Sequence, residues 1–188
     1  MTIFEYPTSI EVHQPIISDL IQQEVDASHY QNIMGYFATG VAVVTTNHHG
    51  QPIGFTTHSF CSVSAEPALI SFCAGDTATI WPLIESASTF CVNILSEKQK
   101  RISTIFSRKG GVRFQTTEYS QASSGVPILP GCLAWIECSS VALYPAGNQL
   151  IVLGRVHHMG RQADGKPLVT YKGTFGSFEV PQEAHQGH

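Results

Sequence analysis

The chain has 188 residues, of which 43% are apolar and 13% charged, with a formal net charge of −4. That balance supports one compact domain with a buried core and excludes a disordered chain. No basic run occurs, which argues against nucleic-acid binding and against a polybasic membrane contact.

Residues 1–25 are mixed in character, with Pro7 and Pro15 and a short apolar pattern at Ile16, Ile17, Leu20 and Ile21. The spacing suits one or two helical turns in an N-terminal extension or arm. No basic region followed by an apolar core opens the chain, and no apolar run reaches the length that spans a bilayer. A soluble, cytoplasmic protein without a membrane contact is therefore expected. From Asp26 to Phe37 the pattern predicts a helix, with Asp26 or Ser28 as cap and Tyr30, Ile33, Met34 and Phe37 on one face. Gly40 breaks it, and Val41–Thr46 reads as a strand that turns at Asn47–Gly50 and returns over Ile53–Thr57.

The stretch Gly54–Ala74, GFTTHSFCSVSAEPALISFCA, is the most unusual in the chain. It predicts strand, polar loop, strand, with Thr56, Thr57, Ser59, Ser62 and Ser64 supplying hydroxyls and Ala68–Phe72 an apolar run broken only by Ser71. Such a loop can hydrogen-bond the polar edge or phosphate of a ligand; equally, it can be a serine-rich turn that satisfies only its own backbone. Beyond it, Gly75-Asp76-Thr77 reads as a turn and Thr79–Ala87 as a short helix with Pro82 near its first turn. Phe90–Leu95 is a strand, Ser96–Phe106 a helix with Ile102 and Ile105 inward, and 107–125 a long polar loop. Strands follow at Cys132–Leu143, Leu150–His158 and Leu168–Tyr171, with a loop over 160–165. Many short strands with few helices point to a β-barrel in a single domain.

Several chemistries are poorly supported. GxGxxG after a strand, GxxxxGK[ST] and GxSxG are all absent, which disfavours a Rossmann or phosphate-loop site and a serine hydrolase. The nine histidines include the pairs His48-His49 and His157-His158, but adjacent residues on an extended chain face opposite ways, so no metal site is expected. The five cysteines (Cys61, Cys73, Cys91, Cys132, Cys138) form no CxxC pair and read as reduced core thiols. His58 could in principle activate Cys61 or Cys73 as a nucleophile.

The segments 37–46, 54–74, 88–95, 131–138, 151–156 and 167–175, taken in order, resemble the flavin reductase family with the FMN-binding split-barrel fold, over about Tyr30 to Phe178. The resemblance implies a mainly β split barrel with peripheral helices over residues 26–180 and a tail over 181–188. It implies an NAD(P)H:flavin oxidoreductase, working as a homodimer, that transfers hydride to FMN or FAD and supplies a partner monooxygenase. Variants of the same reading are a flavoprotein passing electrons to ferric iron or another acceptor, or a non-catalytic flavin-binding protein. Matched position by position, Pro52, Ile53, Gly54, Phe55, Thr56, His58 and Ser59 neighbour the flavin ring and ribityl chain. Cys73, Ala74 and Gly75 line the site from the next strand, and Thr77, Ala78 and Thr79 match the phosphate segment. Arg113 and Phe114 match a pair near the flavin tail, and Gln149 and Tyr171 lie toward the nicotinamide, whether NADH or NADPH. No residue is expected to act as a catalytic acid or base, because the reactants carry the chemistry. Three departures stand out: His58 where Asn, Ser or Gln is common, Asp76 where a base is common, and Gln149 where His is common.

Overall fold

The computed structural model describes residues 25–75, 89–108 and 113–179. The arm proposed at 1–24, the helix expected at 79–87, the phosphate segment Thr77–Thr79 with Asp76, and the tail from 180 onward lie outside the described residues.

All the strands pair antiparallel. A seven-stranded sheet runs in the order β3-β2-β6-β9-β10-β5-β4. Its members are β2 (Ala42–His48), β3 (Gln51–Thr57), β4 (Cys61–Ala65), β5 (Ala68–Gly75), β6 (Thr89–Ile94), β9 (Ala134–Ala146) and β10 (Gln149–Arg161). A small second sheet joins β1 (Thr39–Gly40), β11 (Leu168–Tyr171) and β12 (Thr174–Ser177), and β7 (Ser120–Gln121) pairs with β8 (Pro127–Ile128). The β2–β3 hairpin turns at His49 and Gly50, both with positive φ (49° and 78°), the conformation a two-residue turn needs.

The apolar run Val41–Val44 is continuous because it is covered on both sides. Ala42 and Val44 join Phe72, Phe90, Leu150 and Val152 inside the barrel. Val41 and Val43 meet Leu95, Phe106, Leu129 and Leu168 in a second cluster, under helix α2 (Lys100–Ser107). The expected helix from Ser96 begins instead as a tight turn over Glu97–Gln99, where the Ser96 N–H donates to Gln99 Oε1 at 3.0 Å. On α2 it is Ser103 and Phe106 that are buried, with Ile102 and Ile105 only half-buried around them.

Helix α1 (Ala27–Met34) is shorter than its sequence pattern. Asp26 caps it, accepting from the His29 N–H at 2.7 Å, and Gly35 closes it. No α1 residue is buried. The chain beyond it is tied down where the Gly35 carbonyl accepts from the Lys172 N–H at 2.8 Å.

The hydroxyl-rich stretch departs most from its reading. Only 58–60 is loop; Cys61–Ala65 is a strand that pairs with β5. A polar edge strand needs only its backbone to pair, which is why its serines give no strand signal. Pairing from β4 ends at Ser71, so the outer edge of β5 is open beyond that point. Ser59 fills it: its Oγ accepts from the Cys73 N–H at 2.7 Å and lies 2.9 Å from Thr57 Oγ1, which donates to the Cys73 carbonyl at 3.2 Å. Two hydroxyls thus pin the end of β3 to β5 across the barrel seam.

Candidate functional site

That seam forms one wall of a wide cleft. Thr56 to Ser59, Cys73 and Gly75 line it on one side, Asn148 and Gln149 on another, and α1 closes it with Asp26, Tyr30 and Gln31. Its volume is about 930 Å³. The register of β10 on β5 sets Gln149 opposite Gly75, and the Gln149 amide lies over that glycine. A Cβ at Gly75 would come within 3.3 Å of Gln149 Nε2.

Most hydroxyls in this cleft are already committed. Thr56 Oγ1 donates to the Ser103 carbonyl at 2.8 Å, and Thr57 and Ser59 hold Cys73. The reading of this stretch as satisfying its own backbone therefore accounts for Thr57 and Ser59, whereas Thr56 bonds outside the stretch, to α2. Polar groups left over for a ligand are His58, Asn148, Gln149, Gln31 and Tyr30. His58 is exposed, but partial desolvation of its ring by the cleft walls lowers its pKa.

A second cleft of about 370 Å³ lies further along β3, lined by Gln51 to Gly54, Arg113 to Gln115 and Tyr119. Among the described residues that line it, Arg113 is the only charged one. Its Nη1 donates to the Gly54 carbonyl at 2.6 Å and its Nη2 to the Arg108 carbonyl, while Nε is buried without a partner. Burial depresses the guanidinium pKa. A half-buried cation whose contacts are carbonyls and whose third N–H is unpaired is suited to an anionic or carbonyl-rich ligand. The Gly54 carbonyl points away from β2; strand alternation gives Pro52 and Thr56 the same outward edge, where Pro52 has no N–H to leave unpaired. Close packing excludes a side chain at Gly54, where a Cβ would fall 2.8 Å from the Val44 carbonyl oxygen and 3.0 Å from the Phe106 ring.

The sequence-derived residues thus divide between two clefts on one strand. Thr56, His58, Ser59, Cys73, Gly75 and Gln149 line the larger, and Pro52, Ile53, Gly54, Arg113 and Phe114 the smaller. Phe55 and Ala74 send their side chains into the barrel core, leaving their backbones to meet a ligand. Tyr171 lines neither cleft; it packs edge-on against Tyr36 at 6.4 Å. Asp26, Tyr30 and Gln31, distant in sequence, were not anticipated.

Other chemistries find little here. Among the described residues no three His, Cys, Asp or Glu side chains gather to hold a metal. His48 and His49 do not face apart: the turn at His49 brings their rings to 4.2 Å. Cys61 Sγ lies 3.0 Å from Ser71 Oγ, not beside a histidine. Burial pushes the Cys91 and Cys138 thiols up to about 12 and Cys132 to about 11, which makes them inert core groups.

Residues 34–179 match the family model described as "Flavin reductase like domain". The chain belongs to that family. This flavin reductase is 33% identical over 167 residues to the reductase subunit HsaB of a flavin-dependent monooxygenase from Mycobacterium tuberculosis, covering 88% of this chain and 89% of the relative. It is 36% identical to SmoA, an FMN reductase (NADH) of Agrobacterium fabrum, over 79% of this chain and 84% of that one. Among solved structures, an NADH:FAD oxidoreductase of Streptomyces globisporus in complex with NAD and FAD fragments superposes with a TM-score of 0.77 at 29% identity, covering 85% and 95% of the two chains. The fold of this flavin reductase is the split barrel, and its reaction class is oxidoreductase.

The residues present fit a flavin. Both clefts lie along β3, whose outer edge carries main-chain groups, and the half-buried Arg113 guanidinium sets a positive charge beside the smaller one.

Proposed function

We propose that this chain reduces FMN or FAD with NADH or NADPH and hands the reduced flavin, as a diffusible product, to a separate monooxygenase. The observation that carries this reading is the composition of the larger cleft: wide, bounded by neutral hydrogen-bonding groups and main chain, with its hydroxyls spent on the barrel seam. A hydride passes from nicotinamide to flavin, so the reactants themselves supply the redox chemistry.

The protein's own task is to bind, align and desolvate. Main-chain groups at the outer edge of β3 and the amide of Gln149 meet the polar rims of the rings, while Tyr30 and the Gly75 surface offer flat apolar contact. Arg113 in the adjoining cleft holds the ribityl or phosphate end. Fixed dipoles aimed at the flavin stabilise charge as it develops, without reorganising.

Homodimerisation is part of the same proposal. In the single chain Tyr30, Ile33, Met34, Tyr36 and Phe37 are 48–70% exposed, an apolar face on and just after a helix that buries none of its own residues. The free cysteines fit a reducing, cytoplasmic setting.

The deciving assay is oxidation of NADH and NADPH in air, with and without added FMN, FAD or riboflavin. Turnover that requires added flavin is expected. Turnover of yellow protein without added flavin would show a tightly held group instead, and no turnover under any combination would overturn the reductase reading for this chain.

A further inference from the structure

Among the described residues, His58 is the only histidine that lines the larger cleft, and the geometry gives it a distinctive position. Among the described residues lining that cleft, the charged or titratable side chains are Asp26 and Tyr30 on α1, His58 on the β3–β4 loop and Cys73 on β5; Asn148 and Gln149 on the β10 side are neutral. The His29 N–H that Asp26 caps lowers the pKa of its carboxyl, which favours the carboxylate form. Among those described residues, Asp26 with a neutral His58 gives one net negative charge, and Asp26 with a protonated His58 gives none.

A flavin reductase of this kind handles two forms of one ligand that differ in charge at the ring. The oxidised ring is neutral, whereas the two-electron reduced ring readily loses a proton to become an anion. A negative lining disfavours that anion, and a cation beside it favours it. We propose that His58 selects the redox state of the flavin the cleft retains: neutral, it lets reduced flavin leave; protonated, it holds reduced flavin back. The proposal rests on the larger cleft being the flavin site. His58 is suited to the task because the neighbouring hydroxyls are spent. Thr57 and Ser59 on either side of it are bonded to Cys73, and no described residue hydrogen-bonds its ring. The ring's lowered pKa keeps it neutral near pH 7, so the releasing state is the ordinary one.

The test measures binding, not turnover. Oxidised FMN and dithionite-reduced FMN are titrated anaerobically onto the wild type, His58→Asn and His58→Gln at a series of pH values from about 5.5 to 8. Reduced FMN has its own ionisation, which is common to all three proteins and cancels in the comparison. In the wild type, the affinity for reduced FMN relative to oxidised FMN should rise about tenfold more toward acid pH than in either variant. In parallel, the His58 imidazole followed by NMR in wild-type protein should titrate at higher pH with reduced FMN bound than with oxidised FMN bound. Equal pH slopes in wild type and variants, or a His58 titration indifferent to flavin redox state, would overturn the role of His58 while leaving the flavin site standing. Failure of the wild type to bind FMN in either form would overturn both.

Discussion

Arg113 is the residue whose surroundings most directly call for a ligand. Two of its guanidinium nitrogens hold carbonyls and the third is buried and unpaired. Exchanging it for an uncharged chain of similar length, Arg113→Met, removes a charge-assisted contact worth about 1.5–3 kcal/mol, so FMN affinity should fall roughly tenfold to a hundredfold by calorimetric titration. Arg113→Lys should recover only part of that loss, because an ammonium cannot span both carbonyls and a ligand with a fixed fork. An unchanged affinity in Arg113→Met would remove the smaller cleft from the site. Arg113 was legible in the sequence only through the family pattern. Nothing in its spacing reveals that its guanidinium reaches Gly54, a contact that depends on how the segment after α2 folds back on β3.

At the scale of elements, β3 carries the site and α2 supports it. Gly54 is the contact point, and its hydrogen atom is all that fits between the Val44 carbonyl and the Phe106 ring. Gly54→Ala should cost about 1–3 kcal/mol through overpacking against backbone that cannot yield. That corresponds to a Tm lower by roughly 2–12 °C in a chain of this size, read by scanning calorimetry. A Tm within error of the wild type would mean that α2 moves aside freely. The elements that sequence made legible are those whose side chains are sorted by burial: β2, β5, β6 and the long β9–β10 pair. Those it hid are short, and few of their side chains are buried. β4 alternates serines along an exposed edge, and β12, with Gly176 in a four-residue strand, pairs with β11 through a turn at Lys172 and Gly173. The helix pattern over 26–37 was read correctly in kind but overextended, because its apolar residues signal a face to be covered and not where the helix stops.

For the whole molecule, the proposed dimer rests on the α1 face. Ile33 and Phe37 are 54% and 70% exposed in one chain. In the proposed dimer they are covered, so Ile33→Glu combined with Phe37→Glu should convert the sedimenting species from dimer to monomer. A dimer that survives both charges would place the subunit contact elsewhere. A barrel was foreseeable from the many short strands and the split barrel from the family resemblance, whereas the placement of α1 against the cleft was not, since it joins residues far apart in the chain. This placement has its own consequence. The helix that closes the cleft is fastened by a cap at one end and a single main-chain bond just beyond the other, with no side chain sunk into its own subunit. If a second subunit supplies its anchorage, dilution does more than separate two chains: it loosens one wall of the larger cleft in each. Ligand occupancy would then report how much protein is present, and a titration carried out on very dilute enzyme would measure subunit association as much as flavin recognition.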